Sequence, residues 1–101
     1  MSVYVDHMQI TPSGRQQVFS YPEFCHLFAD TESELHVFAY KLRLNSHWFQ
    51  YHELVPHYDI TLNKRVVALR LGAVEVDKRF LVGVMRDRRA AKNLVKKEEK
   101  S

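Results

Sequence analysis

The sequence predicts a small α/β layered domain of about three strands with three helices. Short β-branched and aromatic runs close on aspartates, at SVYVD and again at FCHLFAD. Stretches with apolar residues at helical spacing separate the later runs, and strands joined through helices argue for layers rather than a bundle or a sandwich. The chain has 101 residues, of which 46% are hydrophobic. That suits one modest core and one domain, read as residues 1–85, followed by a basic charged helix or tail over 86–101.

Ser2 to Asp6 reads as the first strand. The connection that follows, His7 to Pro22, carries a turn signal at Pro12, Ser13 and Gly14 and includes Arg15 as its one permanent cation. At about 16 residues it exceeds the usual loop length, as binding loops and lids do. Arg15 is a candidate contact for an anionic ligand, although an exposed loop arginine needs no such role.

Phe24 to Ala29 reads as the second strand, ending on Asp30. Thr31 and Glu34 have capping-box spacing. Leu35, Phe38, Ala39 and Leu42 then recur at i, i+3, i+4 and i+7, which gives a helix with one core-facing stripe and puts His36 at its margin. Asn45 to Pro56 has no clean period, and Trp48 and Phe49 are expected to anchor it by burial. His57-Tyr58-Asp59-Ile60-Thr61 leads into a second helix over Leu62–Leu71, with Leu62, Val66 and Leu69 as its expected buried stripe and Gly72 as its left-handed cap. Ala73 to Val76 reads as a third strand. The last two of these strands are expected to run parallel as neighbours or near neighbours. Asp77 can cap a last helix whose apolar side is Phe80, Leu81, Val84 and Met85.

The direction of the first strand against the second is open, since no helix joins them. An antiparallel pairing would put Asp6 and Asp30 at opposite ends of the sheet.

The net charge of +3 belongs to the end of the chain, where Arg86 to Ser101 holds seven Lys or Arg against three Asp or Glu. A basic tail admits nucleic acid as a partner, though a short charged end is more often a solvated helix or a frayed terminus. A single cysteine, Cys25, excludes an intrachain disulfide and a cysteine-rich zinc site, and inside a strand it reads as an inert buried thiol. One cysteine and no signal peptide point to the cytoplasm. No apolar run approaches the roughly 20 residues that span a bilayer, so no membrane partner is expected. The aromatic content is compatible with a homo-oligomer, and no stretch marks an interface.

In order, YVD, HLFAD, ELHVFA, HWF, HYDI, KR and GA resemble the bacterial and phage family called domain of unknown function 4031, over roughly Val3 to Val76. The resemblance implies a compact cytoplasmic domain and brings no activity with it.

Ligands of open α/β sheets bind beyond the carboxyl ends of strands. Asp30 lies at such an end, and Asp6 does too if its strand runs parallel. Two carboxylates there could hold a divalent metal such as magnesium or act as an acid and base pair, while the cheaper use of Asp30 is to cap the next helix. His57 and Asp59 precede a helix bearing Lys64 and Arg65, a setting suited to phosphate or carboxylate. Asp30, His36, His57 and Asp59 are therefore the candidate catalytic groups, and Asp6, Arg15, Lys64 and Arg65 the candidate ligand contacts.

Six histidines raise the question of zinc, but the helical i, i+4 spacing is absent. A site from His26, His36 and His57 would rest wholly on tertiary placement, and His26 reads first as a hydrogen-bonded core residue. No Walker loop, dinucleotide fingerprint or nucleophile elbow is present, nor the paired H-x-[ST] motifs of two-histidine phosphoesterases. Two functions follow. One is a polar pocket for a phosphorylated or nucleotide-like ligand, with metal-dependent hydrolysis as its chemistry. The other is a non-enzymatic module that binds nucleic acid or protein through the basic segment. The first requires the acids and imidazoles to converge at one rim of the sheet.

Overall fold

The computed structural model describes residues 2–10 and 23–100. Its elements are β1 (Val3–Val5), β2 (Gln9–Ile10), β3 (Glu23–Ala29), α1 (Glu32–Lys41), a 3-10 turn (Ser46–Trp48), β4 (Phe49–Gln50), β5 (His57–Ile60), α2 (Leu62–Arg70), β6 (Val74–Glu75) and α3 (Lys78–Lys100). The α/β expectation holds, with more strands than the sequence declared. Those it missed are β2 and β4, of two residues each, and β5, which has only four. Runs this short carry almost no period-2 signal.

The strands form one mixed sheet in the order β4-β5-β3-β1-β6, with β2 also paired to β3. β3 is antiparallel to both β1 and β5, while β6 is parallel to β1. The expected parallel relation between β3 and β6 is therefore wrong. They are near neighbours across β1 and run in opposite directions, because β5 intervenes and reverses the chain before α2 crosses over.

Alternation along β3 divides the core into two layers. Cys25, Leu27 and Ala29 face one way, onto Leu35, Ala39 and Leu42 of α1 and Ala68 of α2. Phe28 faces the other way and packs with Leu54, Val55 and Val76 under Leu81, Val84 and Met85 of α3. Of the predicted stripe of α1, Leu35, Ala39 and Leu42 are buried and Phe38 is half-buried against them. The stripe of α2 is rotated: Ala68 is fully buried, whereas Leu62 and Val66 are exposed. Nine residues with several cations give too weak a period to fix the face.

The predicted caps are in place. Thr31 Oγ1 accepts from Glu34 N and donates to Glu34 Oε1, so the box closes through the hydroxyl. Asp77 accepts from Phe80 N, and Gly72 has φ +107° after α2. Helix α3 is continuous and is fastened by Arg88, whose guanidinium donates to the carbonyls of Leu54 at 2.8 Å, Ala29 at 2.9 Å and Asp30 at 3.3 Å. Arg88→Ala strands those carbonyls and should cost about 2 kcal/mol in urea unfolding. A loss near zero would mean that the helix is held by its apolar side alone.

Cys25 is fully buried, and burial pushes its thiol up to about 12. Native protein should therefore resist iodoacetamide, with alkylation appearing only on unfolding.

Candidate functional site

The pairing of β1 and β2 with β3 is the origin of the site. Val5 lies opposite Leu27, but Gln9 lies opposite Phe24. Four steps on one strand thus face three on the other, and the extra residue makes a β-bulge around Asp6. Asp6 N still donates to the carbonyl of His26 at 3.3 Å. The return bond is rerouted. His26 N donates to Asp6 Oδ1 at 2.7 Å, while the carbonyl of Asp6 accepts from Arg65 Nε at 2.9 Å. A backbone ladder bond has been exchanged for a carboxylate held against a histidine.

That carboxylate fixes the His26 ring. Asp6 Oδ2 lies 2.6 Å from His26 Nδ1 and also accepts from Gln9 Nε2 at 3.0 Å. An ionised carboxylate can only accept, so the proton sits on Nδ1 and Nε2 keeps its lone pair. On β5, His57 Nδ1 donates to the carbonyl of Val55 at 2.9 Å, and again Nε2 is left with a lone pair. Alternation puts His57 and Asp59 on the same face of β5, and Asp59 is the cross-strand partner of His26.

Asp59 Oδ1 lies 3.9 Å from His26 Nε2 and 3.6 Å from His57 Nε2, too far for hydrogen bonds. It is a buried oxygen with no hydrogen-bond partner among the described residues. One donor atom from each of His26, His57 and Asp59 falls within 4.8 Å of the others. Tetrahedral zinc with bonds of about 2.0–2.1 Å to nitrogen would space its donors by about 3.4 Å. Closing the site on an ion thus requires the carboxylate contacts to shorten by roughly 0.2–0.5 Å.

Burial acts against the charged forms here. It pushes the Asp59 carboxyl up, against the pull of His57 and His26, and it pushes His57 down. His26 would also be lowered by burial, but the hydrogen bond and charge of Asp6, aided by Asp59, leave it raised overall. With both imidazoles neutral, an ionised Asp59 faces two Nε2 lone pairs, and a divalent cation would supply the positive partner there.

A cavity of about 210 Å³ adjoins the centre, lined by His26, His52, Val55, His57, Leu81 and Met85. The wall from α3 is apolar, and the described lining contains no lysine or arginine.

The candidates named from sequence are thus divided. Asp6, His57 and Asp59 meet around His26. Asp30 is at the opposite end of the sheet, as the antiparallel alternative required. There it accepts from Ser2 N at 2.9 Å and Tyr4 OH at 2.7 Å, and the tyrosine bond holds its carboxyl below the usual range. His36 lies on the other face, 2.9 Å from Tyr58 OH and 3.3 Å from Glu32 Oε2. Lys64 Nζ donates to the carbonyl of Leu42 at 2.8 Å at the end of α1. Arg65 stands behind the site, bridging the Asp6 carbonyl to Glu75. Arg15 lies outside the described residues.

The full convergence expected from the sequence does not occur. Asp30, His36 and Lys64 lie away from the centre with partners of their own, and His26, which the sequence reads first as a core residue, stands at the centre instead. In the basic segment, Arg88 is committed to carbonyls and Lys92 pairs with Glu53. No helix among the described residues is long and apolar enough to cross a membrane.

No curated protein and no solved structure matches the chain. A family model described as protein of unknown function (DUF4031) matches residues 3–88, and the chain belongs to that family.

Proposed function

We propose that this domain binds one divalent transition-metal ion through His26 Nε2, His57 Nε2 and Asp59 Oδ1, and that water on the ion is the nucleophile of a hydrolytic reaction. One observation carries the reading. Both imidazoles have Nδ1 tied to an oxygen acceptor, which leaves two Nε2 lone pairs beside a buried carboxylate oxygen without a partner. A carboxylate behind a metal-ligating histidine fixes its tautomer and strengthens the ligand, and Asp6 stands in that position. Two imidazoles with one carboxylate favour zinc, iron or another transition ion over magnesium, which prefers an all-oxygen shell.

Three protein ligands leave a coordination position for water, as in catalytic rather than structural zinc sites. Zinc lowers the pKa of such a water to about 7, enough to supply hydroxide near neutrality. Calorimetric titration of the metal-free chain with zinc tests the binding step. One equivalent should bind, and Asp6→Asn should weaken it about 10–100-fold without removing any ligand. Absence of binding, or an affinity indifferent to Asp6→Asn, would overturn the arrangement.

A further inference from the structure

We infer that the substrate of this centre is a small neutral acyl compound, an ester or amide with a short apolar acyl group, and that His52 donates the hydrogen bond to its carbonyl oxygen. The inference rests on the metal reading and extends it to the cavity. At about 210 Å³ the cavity is below the roughly 300–1,000 Å³ of pockets for drug-sized ligands, so it can enclose only a small group. Val55, Leu81 and Met85 give it apolar walls. A phosphate placed there would find no lysine or arginine among the described lining residues, and its desolvation would go uncompensated.

His52 supplies the third imidazole of the lining, and its tautomer is the reverse of the other two. Its Nδ1 accepts from Leu54 N at 3.0 Å and from Val55 N at 3.1 Å. Both partners are backbone donors, so Nδ1 carries the lone pair and Nε2 carries the proton. The cavity therefore combines two imidazoles that offer lone pairs to a metal with one that offers an N–H. A carbonyl group is suited to that combination. With an ion held by His26, His57 and Asp59, its bound water would supply the hydroxide for the acyl carbon, and the carbonyl oxygen, gaining negative charge, would accept from His52.

In the ester reaction the water oxygen forms the new bond to the acyl carbon. The acyl bond to the alcohol oxygen breaks with its electron pair, and a water proton ends on that oxygen. A carboxylic acid and an alcohol result, with no change of oxidation state.

The test uses the full chain loaded with cobalt(II) for spectroscopy and with zinc for turnover, with p-nitrophenyl butyrate and p-nitrophenyl phosphate as probes. Visible cobalt bands of a low-coordinate site report the metal centre independently of any substrate. Their absence overturns the metal reading and this one with it. With the bands present, zinc-dependent release of p-nitrophenol from the butyrate and not from the phosphate is the expected result. Turnover of the phosphate instead, or of neither probe, overturns the acyl assignment and leaves metal binding standing.

His52→Asn separates the roles of the ring. An asparagine Oδ1 can accept from the same two backbone N–H groups, while the Nε2–H is lost. Its kcat for butyrate should fall about 100-fold with cobalt bands and KM little changed. An unchanged kcat overturns the role of His52.

Discussion

Replacing His57 with alanine should abolish the thermal stabilisation that zinc confers on this chain. A ligand present at about 100 times its Kd stabilises the native state by about 2.7 kcal/mol. In a domain of this size each kcal/mol moves Tm by about 4–8 °C, so the zinc-dependent shift of the parent chain should be roughly 10–20 °C. The alanine variant loses one ligand atom and the bond to the Val55 carbonyl, a net loss of about 1 kcal/mol in the metal-free state. Differential scanning with and without zinc separates the two effects. A metal-free Tm within several degrees of the parent and a zinc shift near zero is the expected pair. Retention of the full shift would place the ion elsewhere. Because protons compete with metal for the same lone pairs, the shift in the parent chain should also shrink as the pH is lowered.

Asp59→Asn should move metal-free stability and metal binding in opposite directions. In the metal-free chain Asp59 Oδ1 is buried without a partner, and burial raises its carboxyl pKa. Ionising Asp59 therefore costs more in the folded than in the unfolded chain. That cost is present in full above the folded pKa and is relieved as pH falls through it. Asparagine removes the charge and can turn an N–H toward the two Nε2 acceptors. Urea unfolding of the metal-free variant at neutral pH should show a gain of about 1–3 kcal/mol, the usual cost of a buried unsatisfied polar group. Zinc binding should be weakened at least 100-fold. A variant that is less stable without metal would mean that Asp59 serves the scaffold.

Which of these residues could be found by reading the chain depends on how local their signals are. The caps at Thr31, Asp77 and Gly72 are local chemistry and lie where the spacing puts them. His57 and Asp59 stand out in sequence only for preceding a helix; that they share a face follows from HYDI being a strand, which its four residues are too short to show. Asp6 was marked by its place at a strand end, though its function depends on a bulge that only the register of β1 and β2 against β3 reveals.

His26 is weighed from sequence as a possible ligand and reads first as a core residue. Among Phe24, Cys25, Leu27 and Phe28 it resembles a core residue, and its opposition to Asp59 is a tertiary register that no local pattern specifies. His36 and Lys64 were misplaced for the converse reason. A polar residue near a helix end or margin can also serve the scaffold: Lys64 reaches the last carbonyls of α1, and His36 lies between Glu32 and Tyr58. His52 carried only the faint signal of a histidine beside a proline-containing turn. Its tautomer depends on two backbone N–H groups folded back onto it.

X-ray absorption on the chain loaded with one equivalent of zinc tests the centre most directly. Two imidazole nitrogens and one carboxylate oxygen at about 2.0–2.2 Å, with one further oxygen from water completing the shell, are the predicted result. A shell of oxygens alone, or a single imidazole, would contradict it.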